Sequence, residues 1–259
     1  MRVWIAASLT FFFYVPAVAT VMPGLTRRAR ILAGLGSFAG LALALAAHAA
    51  PPIPLLHDWL VPPVLLLLGY WTSGLLFTAP MPRAEAALSA VDRWLDVEPA
   101  ARATPRWLAD VLEAAYVGVY VLVPLALAIH VASADQPDAE RFWTVILVTD
   151  YICFACLPWI RTRPPRALSP FQPWDTAIRR LNLRLLGSTS IQANTFPSGH
   201  AAEAFAVALL VAAAPWPIFA AIAVAALLVS AGAVLGRYHY AADAFTGWAV
   251  AVVVWTILR

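Results

Sequence analysis

Eight stretches of apolar residues, each bounded by proline, glycine or charge, divide the chain: 3–22, 31–49, 58–79, 107–131, 141–160, 200–214, 217–236 and 240–258. A helix of ~20 apolar residues crosses the hydrocarbon of a bilayer. The pattern therefore predicts an all-α, polytopic membrane helix bundle of about eight transmembrane helices, forming a single integral membrane domain over 1–259. The sixth run is short. At ~1.5 Å of rise per residue its length is only about 22 Å, so the polypeptide before it is expected to dip below the membrane surface and its first residues to line a recess. The first run holds Ala17-Val18-Ala19 behind Arg2, a pattern shared with cleaved signal peptides, but it reads as the first helix of a polytopic chain.

Two polar intervals break the alternation of span and loop. Residues 84–98 place apolar positions at helical period and read as an interfacial helix. Residues 161–199 form the longest polar interval, and loops beyond ~15 residues usually carry function. This one starts Arg161-Thr162-Arg163-Pro164-Pro165-Arg166 and ends Asn194-Thr195-Phe196-Pro197-Ser198-Gly199-His200. Between them, Ile178, Leu181 and Leu185 fall on one helical face and Arg180 and Arg184 on another, the pattern of a basic lid resting on the membrane.

Composition agrees with the pattern. Apolar residues make up 62% of the chain and charged residues 12%, against roughly 45–50% and ~25% in soluble domains, which excludes an ordinary soluble globule. Seventeen basic residues, all arginine, oppose fourteen acids for a net charge of +3. That surplus gives no basis for nucleic-acid binding, and membrane lipids are the expected partners. Cys153 and Cys156, within an apolar run, read as small packing residues rather than a redox pair.

Three elements fall at helix ends separated by even numbers of crossings, and so share one face of the membrane: 161–166, 197–200 and Gly236-Arg237-Tyr238-His239-Tyr240-Ala241-Ala242-Asp243. His239 and Asp243, four apart, stack on one helical face. The carboxylate can then accept the Nδ1 proton and leave Nε2 as a nucleophile. Pro197-Ser198-Gly199 offers helix N-terminal amides, a hydroxyl and close backbone approach to an anion, and His200 can protonate a leaving oxygen. Arginine forks suit phosphate. Arg163 and Arg237 are the candidates, whereas Arg161, Arg166, Arg179, Arg180 and Arg184 read as reaching for headgroups. Asp150, inside the fifth run, reads as a structural hydrogen-bonding group. Glu203 either supports His200 or favours the helix dipole, and Glu113 shows no partner pattern.

Thr195-Phe196-Pro197-Ser198-Gly199-His200 and Arg237-Tyr238-His239-Tyr240-Ala241-Ala242-Asp243 resemble the second and third motifs of the type 2 phosphatidic acid phosphatase (PAP2) superfamily, especially its aureobasidin-resistance, inositol-phosphotransferase-like branch. Arg163-Pro164 is similar to the end of the first motif. The resemblance covers about 106–258, as a six-helix catalytic core with residues 1–80 as extra helices. It implies a membrane-embedded lipid phosphate phosphatase or phosphotransferase that uses neither metal nor cofactor. By that resemblance His239 attacks phosphorus, Asp243 orients it, His200 protonates the departing alcohol, and Arg163, Ser198, Gly199 and Arg237 hold the phosphoryl oxygens of a lipid phosphate substrate. Two motif positions depart from the pattern: Cys156 stands where the first motif has lysine and Ala233 where the third has arginine, leaving Arg237 as its substitute.

Headgroup transfer instead of hydrolysis, and lipid binding or transport without turnover, are the alternatives. The expected location is a bacterial-type cell membrane. Its sidedness is open: most arginines fall on the catalytic face against Arg2, Arg141 and Arg259, which by the positive-inside rule places the site in the cytoplasm, while the superfamily's bacterial members usually work outside.

Overall fold

The computed structural model describes residues 1–133 and 138–258. Arg259, counted above among the basic residues of the far face, lies outside them. Among the described residues the fold is all-helical: α1 (Val3–Val21), α2 (Arg27–Ala49), α3 (Val61–Gly74), α4 (Pro82–Trp94), α5 (Val97–Ala103), α6 (Arg106–Ser133), α7 (Ala139–Cys156), α8 (Ala177–Thr189), α9 (Gly199–Leu210), α10 (Trp216–Leu235) and α11 (Ala241–Ile257). The eight apolar runs become α1, α2, α3, α6, α7, α9, α10 and α11. Four of these, α1, α2, α6 and α10, are long and apolar enough by length and composition to cross a membrane. The chain is an integral membrane protein.

Local chemistry sets the helix boundaries. Thr26, Asp138, Thr176 and Ser198 each accept an amide of the first turn that follows them, filling donors a helix start leaves free. The third run begins as a π-helical turn, Leu55–Leu60, because Pro62 and Pro63 have no N–H to continue the ladder. The Asp58 carbonyl accepts instead from the Trp143 indole at 2.6 Å. The segment 84–98, expected as one helix, breaks into α4 and α5 at Asp96, whose backbone is left-handed (φ 51°).

The two ends of the bundle differ. At one end Arg2 pairs with Asp58, the Val3 amide donates to Glu140, and Arg141 donates to the Leu258 carbonyl. The other end gathers α4, α5, α8 and the long loop. Small residues allow the helices between to approach closely. A Cβ on Gly232 of α10 would lie 2.4 Å from the Leu112 carbonyl of α6, and one on Gly247 of α11 would lie 2.7 Å from the Ser198 carbonyl.

The lid helix α8 keeps leucines outward, as on a helix resting on the membrane, and packs on the bundle through a polar face. Arg179 and Asn182 are buried while Leu181 and Leu185 are exposed. The reason is Glu113, fully enclosed on α6. Its carboxylate accepts from Arg179 Nη1 (2.9 Å), the Trp174 indole (2.7 Å), the Asn182 amide (2.7 Å) and the Tyr238 hydroxyl (2.6 Å). A buried carboxylate needs a cation and donors, so Arg179 is the centre of a buried ion pair and does not reach for headgroups. Removing one partner of such a pair costs about 3–5 kcal/mol. Glu113→Ala is therefore expected to lower the melting temperature in detergent sharply, and adding Arg179→Met should recover part of the loss. Thermal unfolding followed by intrinsic fluorescence checks both.

Candidate active site

Three loops meet at the α4/α8 end and are laced through their backbones. The Ser198 amide donates to the Asp243 carbonyl (2.9 Å), the Arg166 amide to the Arg237 carbonyl (3.1 Å) and the Asn194 amide to the Thr162 carbonyl (2.9 Å). The Tyr240 hydroxyl donates to the Arg163 carbonyl at 3.1 Å. Each bond joins two segments far apart in sequence, so the three motifs are placed by main-chain geometry before any side chain acts.

His239 sits in the turn between α10 and α11. The Tyr238 and His239 amides both donate to the Ala233 carbonyl at 2.9 Å, and Arg237 takes a left-handed conformation (φ 64°) that brings the chain round. In α11, Asp243 Oδ2 accepts the Tyr240 amide at 2.8 Å, closing a capping box. The same oxygen lies 3.5 Å from His239 Nδ1. No hydrogen bond joins the two, and Nδ1 and Asp243 Oδ1 are both buried without a partner. A small rotation of the ring would close that contact, and such bonds often tighten only with substrate bound.

His200, in the first turn of α9, faces the same space. Its ring centroid lies 6.0 Å from that of His239. A near-attack contact of ~3–3.5 Å, the ~1.6 Å bond from phosphorus to the leaving oxygen and a hydrogen bond of ~2.8 Å sum to roughly 7–8 Å between the two ring nitrogens, so the rings face one space and part slightly to admit a phosphoryl group. His200 stacks on Tyr116 at 5.0 Å, Tyr116 stacks on Tyr238 at 4.1 Å, and the Tyr120 hydroxyl approaches His200 Nε2 at 3.5 Å. This aromatic column fixes the ring plane.

The arginines distribute differently from expectation. Arg163 forks onto Glu85 with Nε to Oε1 at 2.9 Å and Nη2 to Oε2 at 2.8 Å, and these hydrogen bonds hold the Glu85 carboxyl below the usual carboxylate range. Arg237 pairs with Asp92 at 3.0 Å, whose other oxygen accepts the Ala241 amide at 2.9 Å. Both are thus engaged by α4, a helix expected only to lie at the interface. Arg166, assigned from the sequence to headgroups, pairs with no carboxylate among the described residues. Its guanidinium lies 5.3 Å from the centre of the Tyr238 ring, and its charge acts on His239. The only sequence signal for it was its place in the loop after the fifth run. Ser198 is fully buried, with its hydroxyl accepting the Ala201 amide at 3.3 Å. The Gly199 amide donates to the Thr195 hydroxyl at 3.4 Å. These two atoms therefore cap α9.

Beside the rings opens a cavity of about 320 Å³ walled by α3, α6, α7, α8 and α9, with Leu66, Trp71, Val117 and Leu186 among its apolar lining and His200 and Gly199 at its rim. The arrangement is a nucleophile candidate backed by a carboxylate, an acid candidate opposite, an arginine with a free fork, and a greasy chamber alongside.

The family model of the PAP2 superfamily matches residues 86–257, beginning inside α4. No curated protein and no solved structure matches the chain.

Burial, reinforced by the Arg166 charge, lowers the His239 pKa to about 3. A group so lowered is neutral, and its lone pair free, at every pH above that value. The acid limb of kcat/KM should then lie below pH 5, in contrast to the ~6.5 of an ordinary imidazole. Arg166→Gln should move that limb upward, since the charge opposing protonation is gone. A pH profile of kcat/KM for the two proteins checks the direction.

Proposed function

The chain belongs to the PAP2 superfamily, and on that premise we propose that it is a membrane-embedded lipid phosphate phosphatase or phosphotransferase working through a phosphohistidine, closest to the inositol-phosphotransferase-like branch. Membership itself indicates phosphatase-type chemistry. The observation that carries the finer reading is the pair of imidazoles 6.0 Å apart, one backed by Asp243, the other at the rim of an apolar cavity.

The steps follow from that placement. His239 Nε2 gives its lone pair to phosphorus, forming an N–P bond as the P–O bond to the lipid alcohol breaks. His200 transfers a proton to the departing oxygen, so the alcohol leaves neutral. Asp243 holds the Nδ1 proton and stabilises the positive ring. Water, or another alcohol, then attacks phosphorus, His200 takes its proton, and the N–P bond breaks to free His239. Arg166 is the arginine placed to hold two phosphoryl oxygens, and its fork matches them. Arg163 and Arg237 serve here by fixing α4 over the site. Charge stabilisation and positioning carry most of such a reaction.

Purified protein in detergent should release phosphate from lipid phosphates, or pass a headgroup to an alcohol, with chelator present. His239→Ala should abolish turnover, while His200→Ala and Asp243→Asn should each lower kcat by at least about a hundredfold. Labelled substrate should leave an acid-labile, base-stable phosphoprotein in wild type and none in His239→Ala. Full activity in that variant would overturn the reading.

A further inference from the structure

The cavity holds two carboxyl groups that the steps above leave unused. Asp150 on α7 is 1% exposed, and its Oδ2 has no hydrogen-bond partner. Glu203 lies one turn beyond His200 on α9, and both acids line the cavity with His200 and Tyr120. Neither forms an ion pair with any described residue. Asp150 is also tight against the second motif: a Cβ on Gly199 would sit 3.3 Å from its Oδ1. An acid at membrane depth normally finds a partner within the protein. Here one oxygen is bare and fully enclosed, on a residue that lines a space large enough for part of a lipid.

We propose that Asp150 and Glu203 bind a free hydroxyl of the substrate's own alcohol, one carbon from the ester, so that the preferred substrates are phosphate monoesters of hydroxylated lipids. This rests on the phosphatase reading, in which the leaving alcohol lies on the His200 side. Residues three apart on a helix place their side chains about 5–6 Å apart. Glu203 and His200 can therefore reach neighbouring groups of one substrate, the ester oxygen and a hydroxyl on the carbon beside it. The apolar walls, Leu66, Val117 and Leu186 among them, take the hydrocarbon beyond it. A hydroxyl both donates and accepts, so it satisfies a carboxyl group in either protonation state, whereas an ammonium only donates. The phosphoryl dianion next door disfavours ionising both acids, which again favours the hydroxyl.

The test uses three esters of equal chain length in detergent micelles: a 1-alkylglycerol 3-phosphate, its 2-deoxy counterpart and its 2-amino counterpart. In wild type, kcat/KM for the hydroxylated ester should exceed that for the deoxy ester about tenfold, the size of one hydrogen bond to a charged or buried partner. Asp150→Ala should collapse the ratio towards one, and the near-isosteric Asp150→Asn, which still hydrogen-bonds, should keep most of it. Equal kcat/KM for the hydroxy and deoxy esters in wild type overturns this inference alone. So does a preference for the amino ester that Asp150→Asn removes, which would mark an ammonium site. Turnover of none of the three overturns the phosphatase reading and this inference with it.

Discussion

Three main-chain hydrogen bonds across one end of the bundle hold the site together: Ser198 to Asp243, Arg166 to Arg237, and Asn194 to Thr162. The first two satisfy backbone groups at or next to a helix end, where the helix itself offers no partner, and the third bridges the two ends of the long loop. In a membrane such groups must find partners inside the protein, so the need to satisfy helix ends and the need to assemble a site are met by the same bonds. The histidines inherit their positions. His239 follows directly from the turn that Ala233 and Arg237 close, and His200 from the start of α9 that Ser198 caps. A site built on main-chain bonds tolerates changes of side chain around it, which makes the departures at Cys156 and Ala233 intelligible.

The polar cost of this end is met by ion pairs, two of them buried and the third, Glu85 with Arg163, with its arginine open to the surface. Glu113 with Arg179, Asp92 with Arg237 and Glu85 with Arg163 tie α6 to α8, α4 to the α10–α11 turn, and α4 to the loop after α7. Each neutralises a charge and fixes one element of this end against another. A non-glycine residue held in the left-handed region costs on the order of 1–3 kcal/mol. At Arg237 the Asp92 pair offsets that cost, because the same conformation delivers the guanidinium to the carboxylate. What is left over is Arg166, the arginine beside His239 with no acid of its own.

Most of the membrane fold was legible, since hydropathy reports directly on the solvent each segment meets. All eight apolar runs are helices, the sixth is short as expected, and the three motif segments converge at one end. The failures are all polar. Periodicity gave α8 an apolar face for the membrane but not the face that meets the protein, where Arg179 and Asn182 serve a buried carboxylate on α6, and nothing local to 177–189 reveals Glu113. The interfacial reading of 84–98 missed that Glu85 and Asp92 are counter-ions, because their arginines are 78 and 145 residues away. Motif spacing singled out Arg163 and Arg237 and set Arg166 aside, but spacing does not say which arginines already have partners: the first two pair with Glu85 and Asp92, and Arg166 pairs with no carboxylate among the described residues.

The helices before the family match are part of the site's architecture. α3 supplies Leu66, Leu67, Tyr70 and Trp71 to the cavity wall, and it is joined to the far side of the opening twice: the Tyr70 hydroxyl donates to Ser190, and the Trp71 indole donates to the Thr189 carbonyl at the end of α8. Gly74 accepts Ile191 so closely that a Cβ there would fall 2.4 Å from its side chain. α1 reinforces the arrangement from behind, with Phe11 stacked on Tyr151 of α7 at 4.3 Å and the Tyr14 hydroxyl donating to the Ala155 carbonyl. The lid is therefore anchored on one side to Glu113 and on the other to α3. The cavity beside His200 thus takes part of its shape from the amino-terminal helices, so the two histidines belong to the matched region while the wall of the chamber next to them is shared with residues ahead of it.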